Sequence, residues 1–280
     1  MKSSYLLALV IVVMVTNFIA CSNDAEEALV SDIEIRLTSE IVPSRVTALD
    51  YQSTQIAVGQ EVGVTIIGAQ SVHQNVAWSV GQDGVLTNIG SPVFWGDSQI
   101  TVTAYHPYHS AWTGTEQEFS VSTDQSTNSG YSNSDLLWTT TSASMTDATI
   151  GLNFKHLLTK INVTLSSDHI DDLSGTTISI CGTKISTIFN PMTGVVSGAS
   201  DVQEIMASIT TDEAYTASAI IVPQAIVKNT KFIKLTRGDK NFHYTLPEDM
   251  QYLPGYSYHY TLKVEESNME DLLEGKEIEW

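Results

Sequence analysis

The sequence predicts an all-β protein of sandwich type, and three observations carry that reading. Beyond the N-terminal apolar run, nearly every patterned segment alternates apolar and polar residues with period two, the mark of a strand with one buried face. Gly, Pro, Asn and Asp recur at short spacing between these segments, as the turns of a many-stranded sandwich require. Helical periodicity is scarce.

Taken in order, Ile33, Ile35 and Leu37 alternate with Glu34, Arg36 and Thr38, and Ile41 follows before the loop signal Val42-Pro43-Ser44-Arg45. Strands are predicted over 62–67 and 100–105, and Trp78, flanked by Val76 and Val80, is a core candidate. The stretch 122–134 is rich in Ser, Thr, Asn and Gly and reads as a surface loop or linker. Ile150, Leu152 and Phe154 hold even positions, whereas Leu157, Ile161, Val163 and Leu165 hold odd ones. That slip of phase predicts a bulge or tight bend near Lys155 or His156.

Cys181, in Ile178-Ser179-Ile180-Cys181, reads as a buried small hydrophobe rather than a reactive thiol. Further strands are expected over 219–222, 232–235 and 242–246, with Arg237-Gly238-Asp239 as a hairpin turn. The clearest strand puts Tyr256, Tyr258, Tyr260, Leu262 and Val264 on one face. The last segment, 265–280, is poorly patterned. Ile278 and Trp280 alternate, but Met269, Leu272 and Leu273 read equally well as a helical turn, and seven acidic residues dilute it.

The N-terminus carries a different signal. Lys2 precedes an uncharged run of 15 residues, Tyr5 to Ile19, and Phe18-Ile19-Ala20-Cys21 has the form of a bacterial lipoprotein processing site. As a helix the run would rise about 22 Å, short of the roughly 30 Å of hydrocarbon that a spanning segment must cross. Residues 1–20 are therefore expected to be a signal peptide and Cys21 a lipidated N-terminus; a plain secretory signal with a coincidental cysteine is the alternative. Acyl chains on Cys21 would hold the protein at the membrane, at about 0.8 kcal/mol per buried methylene.

Thirteen Lys and Arg face 32 Asp and Glu, a formal net charge of −19, and 46–154 contains no Lys or Arg. Such a surface repels nucleic acid and anionic lipid, so no nucleic-acid partner is expected. Once Cys21 is acylated, Cys181 has no partner for an intramolecular disulfide, and stability must come from packing.

Several segments, in this order, resemble the fimbrillins of type V pili, including fimbrillin-like lipoproteins of Gram-negative gut and oral anaerobes. They are ITVTAYHPY at 100–108, SDLLW at 134–138, FKHLLTKINVTL at 154–165, Val222-Pro223-Gln224 and PGYSYHYTLKV at 254–264. The resemblance implies two tandem β-sandwich domains, 46–149 and 150–280, behind a lipidated tether and removable first strand at 21–45. It implies an outer-membrane lipoprotein at the cell surface whose precursor is cut between Arg45 and Val46. Loss of the strand bearing Ile33, Ile35, Leu37 and Ile41 would open a groove for a strand from another pilus subunit. The C-terminal segment with Ile278 and Trp280 is then the donor candidate, and its weak pattern leaves anchor, accessory or tip roles open beside a stalk role. Asp24, Glu26 and Glu27 after Cys21 are similar to the surface-export signal of such lipoproteins.

Trp95 and Trp112, near Gly and Pro in loops, are candidate exposed contacts for a host glycan or protein ligand, and a permanently anchored glycan-binding lipoprotein is the alternative reading. His73, His106 and His109 lack the spacing of a metal site. Lys228, Lys231, Lys234, Arg237 and Lys240 form a basic stripe that reads as a solvated face. No nucleophile, carboxylate pair or phosphate loop stands above chance, so neither catalysis nor a cofactor is expected.

Overall fold

Alternation becomes strand pairing almost throughout. The computed structural model describes residues 32–42, 55–167, 173, 175–210 and 215–264, together with the backbone of 274–279. Strands β1 (Leu37–Ile41), β2 (Glu61–Ile67), β3 (Val72–Val80), β4 (Val85–Asn88) and β5 (Gln99–His106) are followed by β6 (Gln117–Ser120) and the short helix α1 (Asn128–Ser132). Then come β7 (Leu137–Ser144) and β8 (Ile150–His156). All of these strands except β6 form one closed circuit in the order β1-β4-β3-β2-β5-β7-β8. Their inward residues, among them Val62, Val64, Trp78, Val102, Leu152 and Phe154, make one of two hydrophobic cores.

The second unit begins with β9 (Thr159–Ser167), β10 (Thr177–Asn190), β11 (Val195–Met206), β12 (Ser208–Thr210) and β13 (Tyr215–Ile221). It continues with β14 (Gln224–Ile226), β15 (Lys231–Arg237), β16 (Lys240–Thr245), β17 (Met250–Tyr252), β18 (Tyr256–Val264) and β19 (Glu274–Glu279). One sheet runs β11-β10-β15-β16 with β6 added along β10, a second runs β12-β13-β9-β18-β19, and β14 pairs with β17. Between them lies the larger core, into which Tyr252, Tyr258 and Tyr260 project from the Tyr-rich C-terminal segments. Gln224, of the Val-Pro-Gln motif, donates from Nε2 to Thr183 Oγ1 (2.7 Å), Val222 O (2.8 Å) and Lys184 O (3.0 Å), and its Oε1 accepts from Lys184 N (2.9 Å).

The all-β, two-unit architecture is as expected, but the boundary is not. Residues 150–156 form β8 of the first unit, and the slip of phase beyond Phe154 is the crossing from β8 to β9, a bend between two cores rather than a bulge within one sheet. Nor is 122–134 a plain surface linker. Gln125 is fully buried, and its amide imitates a strand partner: Nε2 donates to Ile220 O and Oε1 accepts from Ile220 N, both at 2.8 Å. Cys181 is only half-buried, on β10, and burial pushes its thiol pKa up to about 11, keeping it protonated. Gly238 turns the β15–β16 hairpin at φ 57°, as the Arg-Gly-Asp reading required.

Aromatic residues join the units. Trp112, expected to be exposed, is 6 % exposed because its ring stacks on Tyr105 of β5 (centroids 5.0 Å) and packs against Phe189 of β10 (5.5 Å). Trp95 is 2 % exposed, inside the first core. Both are corrections: a flat ring beside two apolar strands removes more apolar surface from water buried than displayed. Trp138 of β7 donates from Nε1 to Pro191 O in the β10–β11 turn (2.8 Å). At Gly194 in the same turn, φ is +68° and an added Cβ would run into the Trp138 ring.

His106, at the end of β5, sits between Glu61 O (3.1 Å from Nδ1) and Ser132 O (3.3 Å from Nε2) and is buried. Burial pushes its pKa below the ordinary value, against the pull of those carbonyls and Asp135. The folded state therefore resists a proton that the unfolded chain accepts below about pH 6.5, so stability from this group is full above that pH and falls as pH drops through it. Denaturant titrations at several pH values should show this decline, and His106→Gln should flatten it by up to about 1.4 kcal/mol per pH unit. Gly194→Ala should cost roughly 1–3 kcal/mol, read as a lower Tm, because it strains the turn that holds Trp138.

Candidate functional site

Ile35, Leu37, Ser39 and Ile41 share one phase, and all four are buried, at 1–5 % exposure. Between them Arg36 and Glu40 face solvent. This is the alternation of a strand with one face on a core. β1 is unusual in its partners. On one side it pairs antiparallel with β4 (Leu37↔Leu86, Thr38↔Val85) and on the other it runs parallel to β8 over five residues, from Leu37↔Ile150 to Ile41↔Phe154. The strand thus closes the circuit between two strands that do not pair with each other.

Backbone bonds continue the pairing at both ends. Ile35 N donates to Val93 O (2.8 Å), Trp95 N to Ile33 O (2.9 Å), Ile150 N to Arg36 O (2.9 Å) and Val42 N to Phe154 O (2.9 Å). The small inward polar residue is also accommodated: Ser39 Oγ donates to Gly84 O at 3.1 Å. Gly84 is in the left-handed region (φ +73°), and a Cβ there would be driven into the Ser39 carbonyl oxygen. Only glycine lets the β3–β4 turn approach β1 so closely.

Of the four residues expected to be buried in the strand, Ile35, Leu37 and Ile41 are; Ile33 is 42 % exposed, because it precedes the paired segment and contributes its carbonyl rather than its side chain. At about 1.5–3 kcal/mol per buried aliphatic, the three side chains hold roughly 5–9 kcal/mol of apolar burial, an upper bound because the free chain also buries some surface. Cys21, Arg45, Val46 and Trp280 lie outside the described residues. Ile278 belongs to β19, which pairs antiparallel with β18 of its own unit, with Ile278 opposite Ser257. Ser39 and Gly84 were not singled out from the sequence, although Ser39 keeps the phase of Leu37 and Ile41 and Gly84 ends a Gln-Asp-Gly turn.

The arrangement offers no reacting groups; what it offers is a seat for an extended segment with apolar side chains at alternate positions. Gly84→Ala should loosen that seat selectively. Hydrogen exchange at β1 amides is expected to accelerate by about tenfold or more, the effect of roughly 1–3 kcal/mol of strain, while exchange in β13 and β18 stays unchanged.

The same architecture occurs in solved structures. A candidate cell adhesion protein from Bacteroides uniformis superposes with a TM-score of 0.67 at 20% identity, over 89% of this chain and 98% of that one. A second, from Bacteroides ovatus, gives 0.64 at 20% identity over 87% and 97%. The tip fimbrial protein Mfa3 from Porphyromonas gingivalis, truncated at its C-terminus, gives 0.51 at 8% identity over 88% and 100%. At these identities the likeness is one of fold. No curated protein matches the chain. The family model described as fimbrillin-like matches residues 44–279. With a match over most of its length and a fold in keeping with it, this protein belongs to the fimbrillin-like family.

Proposed function

We propose that this protein is a subunit of a surface pilus or adhesion assembly, delivered to the outer membrane as a lipoprotein through Cys21 and matured by cleavage between Arg45 and Val46. The observation that carries this reading is the seat of β1: a short strand, bonded on both edges, that lies upstream of Arg45 and completes a barrel made otherwise of residues downstream of it. Cleavage would leave β1 held by noncovalent contacts alone. Its departure would expose the edges of β4 and β8 and the pockets of Ile35, Leu37 and Ile41. An extended segment of a neighbouring subunit could then restore both the backbone pairing and the apolar burial. Repeated head to tail, that exchange builds a fibre.

Val42, 47 % exposed, brings the chain to the surface just before Pro43, which suits protease access to the residues that follow. The C-terminal segment would have to leave β18 before serving as a donor, since β19 is paired there within its own chain. That cost supports an anchor, accessory or tip role over a repeating stalk role. With Trp95 and Trp112 both buried, the reading of an anchored glycan receptor displaying exposed aromatics loses its support. The role needs no cofactor and no catalysis; its partners are other subunits and, through the lipid, the outer membrane.

Mass measurement of the protein from native cells tests the maturation step. A mature end at Val46 is expected, and an intact acylated Cys21 in every molecule overturns it. Purified protein treated with trypsin tests the exchange step. The cut protein should release residues upstream of Val46 and lose thermal stability, and a synthetic peptide of residues 33–42 should restore it. The same peptide carrying Leu37→Asp should fail, because a buried carboxylate without a partner cancels the gain. Cut protein that keeps its full Tm without peptide counts against the proposal.

A further inference from the structure

The Arg-Gly-Asp tripeptide is carried on the tip of a hairpin. β15 and β16 pair antiparallel to their ends, with Arg237 opposite Lys240, so Gly238 and Asp239 are the two loop residues. A two-residue loop with glycine first, at φ 57°, has the Gly-X form that suits the twist of the strands it joins. This turn calls for the glycine and is at ease with the aspartate, but it does not call for the arginine. Below the tip the hairpin is fixed. Thr236 pairs with Thr177 of β10 and donates from Oγ1 to Asn241 Oδ1 across the hairpin at 2.7 Å, while Leu235 and Tyr244 are buried in the second core. Arg237 lies one residue past the last β10 pair, so the tripeptide projects beyond β10 from a rigid base.

Gly238, Asp239 and Lys240 are exposed and Arg237 is half-exposed. The tip is also at the end of the second unit away from the first. β10 runs 14 residues from Thr177, beside the tip, to Asn190, and the turn that follows receives Trp138 of β7. At roughly 3.3 Å per residue that is about 40 Å. A chain held through its N-terminus, or joined to a neighbour through the seat of β1, therefore presents the tripeptide at its opposite end. Charge favours the same end. Residues 231–246 carry Lys231, Lys234, Arg237 and Lys240 against one acid, Asp239, in a chain of net charge −19. Even with Lys234 paired to Glu204 of β11, this hairpin meets an anionic cell surface with less repulsion than the rest of the molecule.

An exposed Arg-Gly-Asp offers two recognisable groups of opposite charge. Its guanidinium is a planar fork that a carboxylate binds bidentately, and its carboxylate can complete the coordination of a divalent cation. A hairpin holds the two in one arrangement before binding, so less ordering is required on docking than in a flexible loop. We propose that this tip is a docking site for an integrin-type receptor on a host cell, with Asp239 ligating the receptor's divalent cation and Arg237 entering an acidic pocket. The inference rests on the adhesive reading of the protein for the setting in which the tip is displayed, and on neither cleavage at Arg45 nor strand exchange.

The test is surface plasmon resonance of the purified, uncleaved protein against purified fibronectin-receptor and vitronectin-receptor integrins in a buffer containing Mg²⁺. Saturable binding to at least one is expected, with Kd on the order of micromolar or tighter, displaced by free Arg-Gly-Asp-Ser peptide and abolished by EDTA. EDTA should leave the protein's own Tm unchanged, which assigns the cation to the receptor. Asp239→Glu keeps the charge but moves the carboxylate by one methylene; it should weaken binding about tenfold or more at unchanged Tm. Arg237→Lys keeps the charge but loses the fork, and it should weaken binding as well. Should Asp239→Glu not fold, Asp239→Asn is the substitute, with the same loss expected. Binding to neither integrin overturns the proposal, as does binding that survives EDTA or a folded Asp239 variant that binds as tightly as the parent. Since the protein is uncleaved throughout, such a failure leaves maturation and strand exchange to their own tests.

Discussion

The first unit depends on one contact, the insertion of β1 between β4 and β8. A sheet of six strands would end in two open edges, each a row of unpaired backbone groups, and closure is the arrangement that removes edges altogether. Here a five-residue strand closes it, parallel to one neighbour and antiparallel to the other. Its contribution is large for its length because it satisfies two edges and, with Ile35 just before it, buries three aliphatic side chains at once. For the same reason its loss would be felt by the whole unit while breaking no strand of the remaining sheet.

One lip of that seat is tied to the second unit. β8 ends where His156 Nδ1 meets Asp135 Oδ1 at 2.8 Å and where Leu157 N bonds Leu136 O, just before the chain enters β9. β7 carries Trp138 into the β10–β11 turn, and Tyr105 of β5 stacks on Trp112 against Phe189. β6 goes further and pairs with β10 outright. The chain between β5 and β7 therefore serves the second core more than the first. These contacts fix β5, β7 and β8 independently of β1.

The other lip is local. β4 approaches β1 only because Gly84 permits a turn that would otherwise strike Ser39, and it parts from β1 after two residue pairs. The divergence leaves a cavity lined in part by Trp78 and Asn88. β1 is thus seated over five residue pairs along β8 and over only two along β4, with a cavity beneath its upstream end.

Much of this was legible in the sequence, and the failures share a cause. The period-two pattern of Ile35, Leu37 and Ile41, of Ile161 to Leu165 and of Tyr256 to Leu262 located strands and named their buried faces, because alternation is a local consequence of the pleat. The slip after Phe154 marked the crossing between cores for the same reason. Trp95 and Trp112 were misread because loop composition says where a backbone turns, not which distant strands will lie beside the ring. Gln125 lay in a stretch read as a loop, and no local pattern told that groups far along the chain would come to meet it or Gln224. The sequence by itself determined that the chain is all-β, which face of each patterned strand points inward and that a strand precedes Arg45, since these follow from side-chain order. Only the tertiary structure decided that this strand lies between β4 and β8, that β8 belongs with the first core and that Trp78 and Asn88 border a shared space. Such pairings join residues far apart in the chain, and no local pattern encodes which edge meets which.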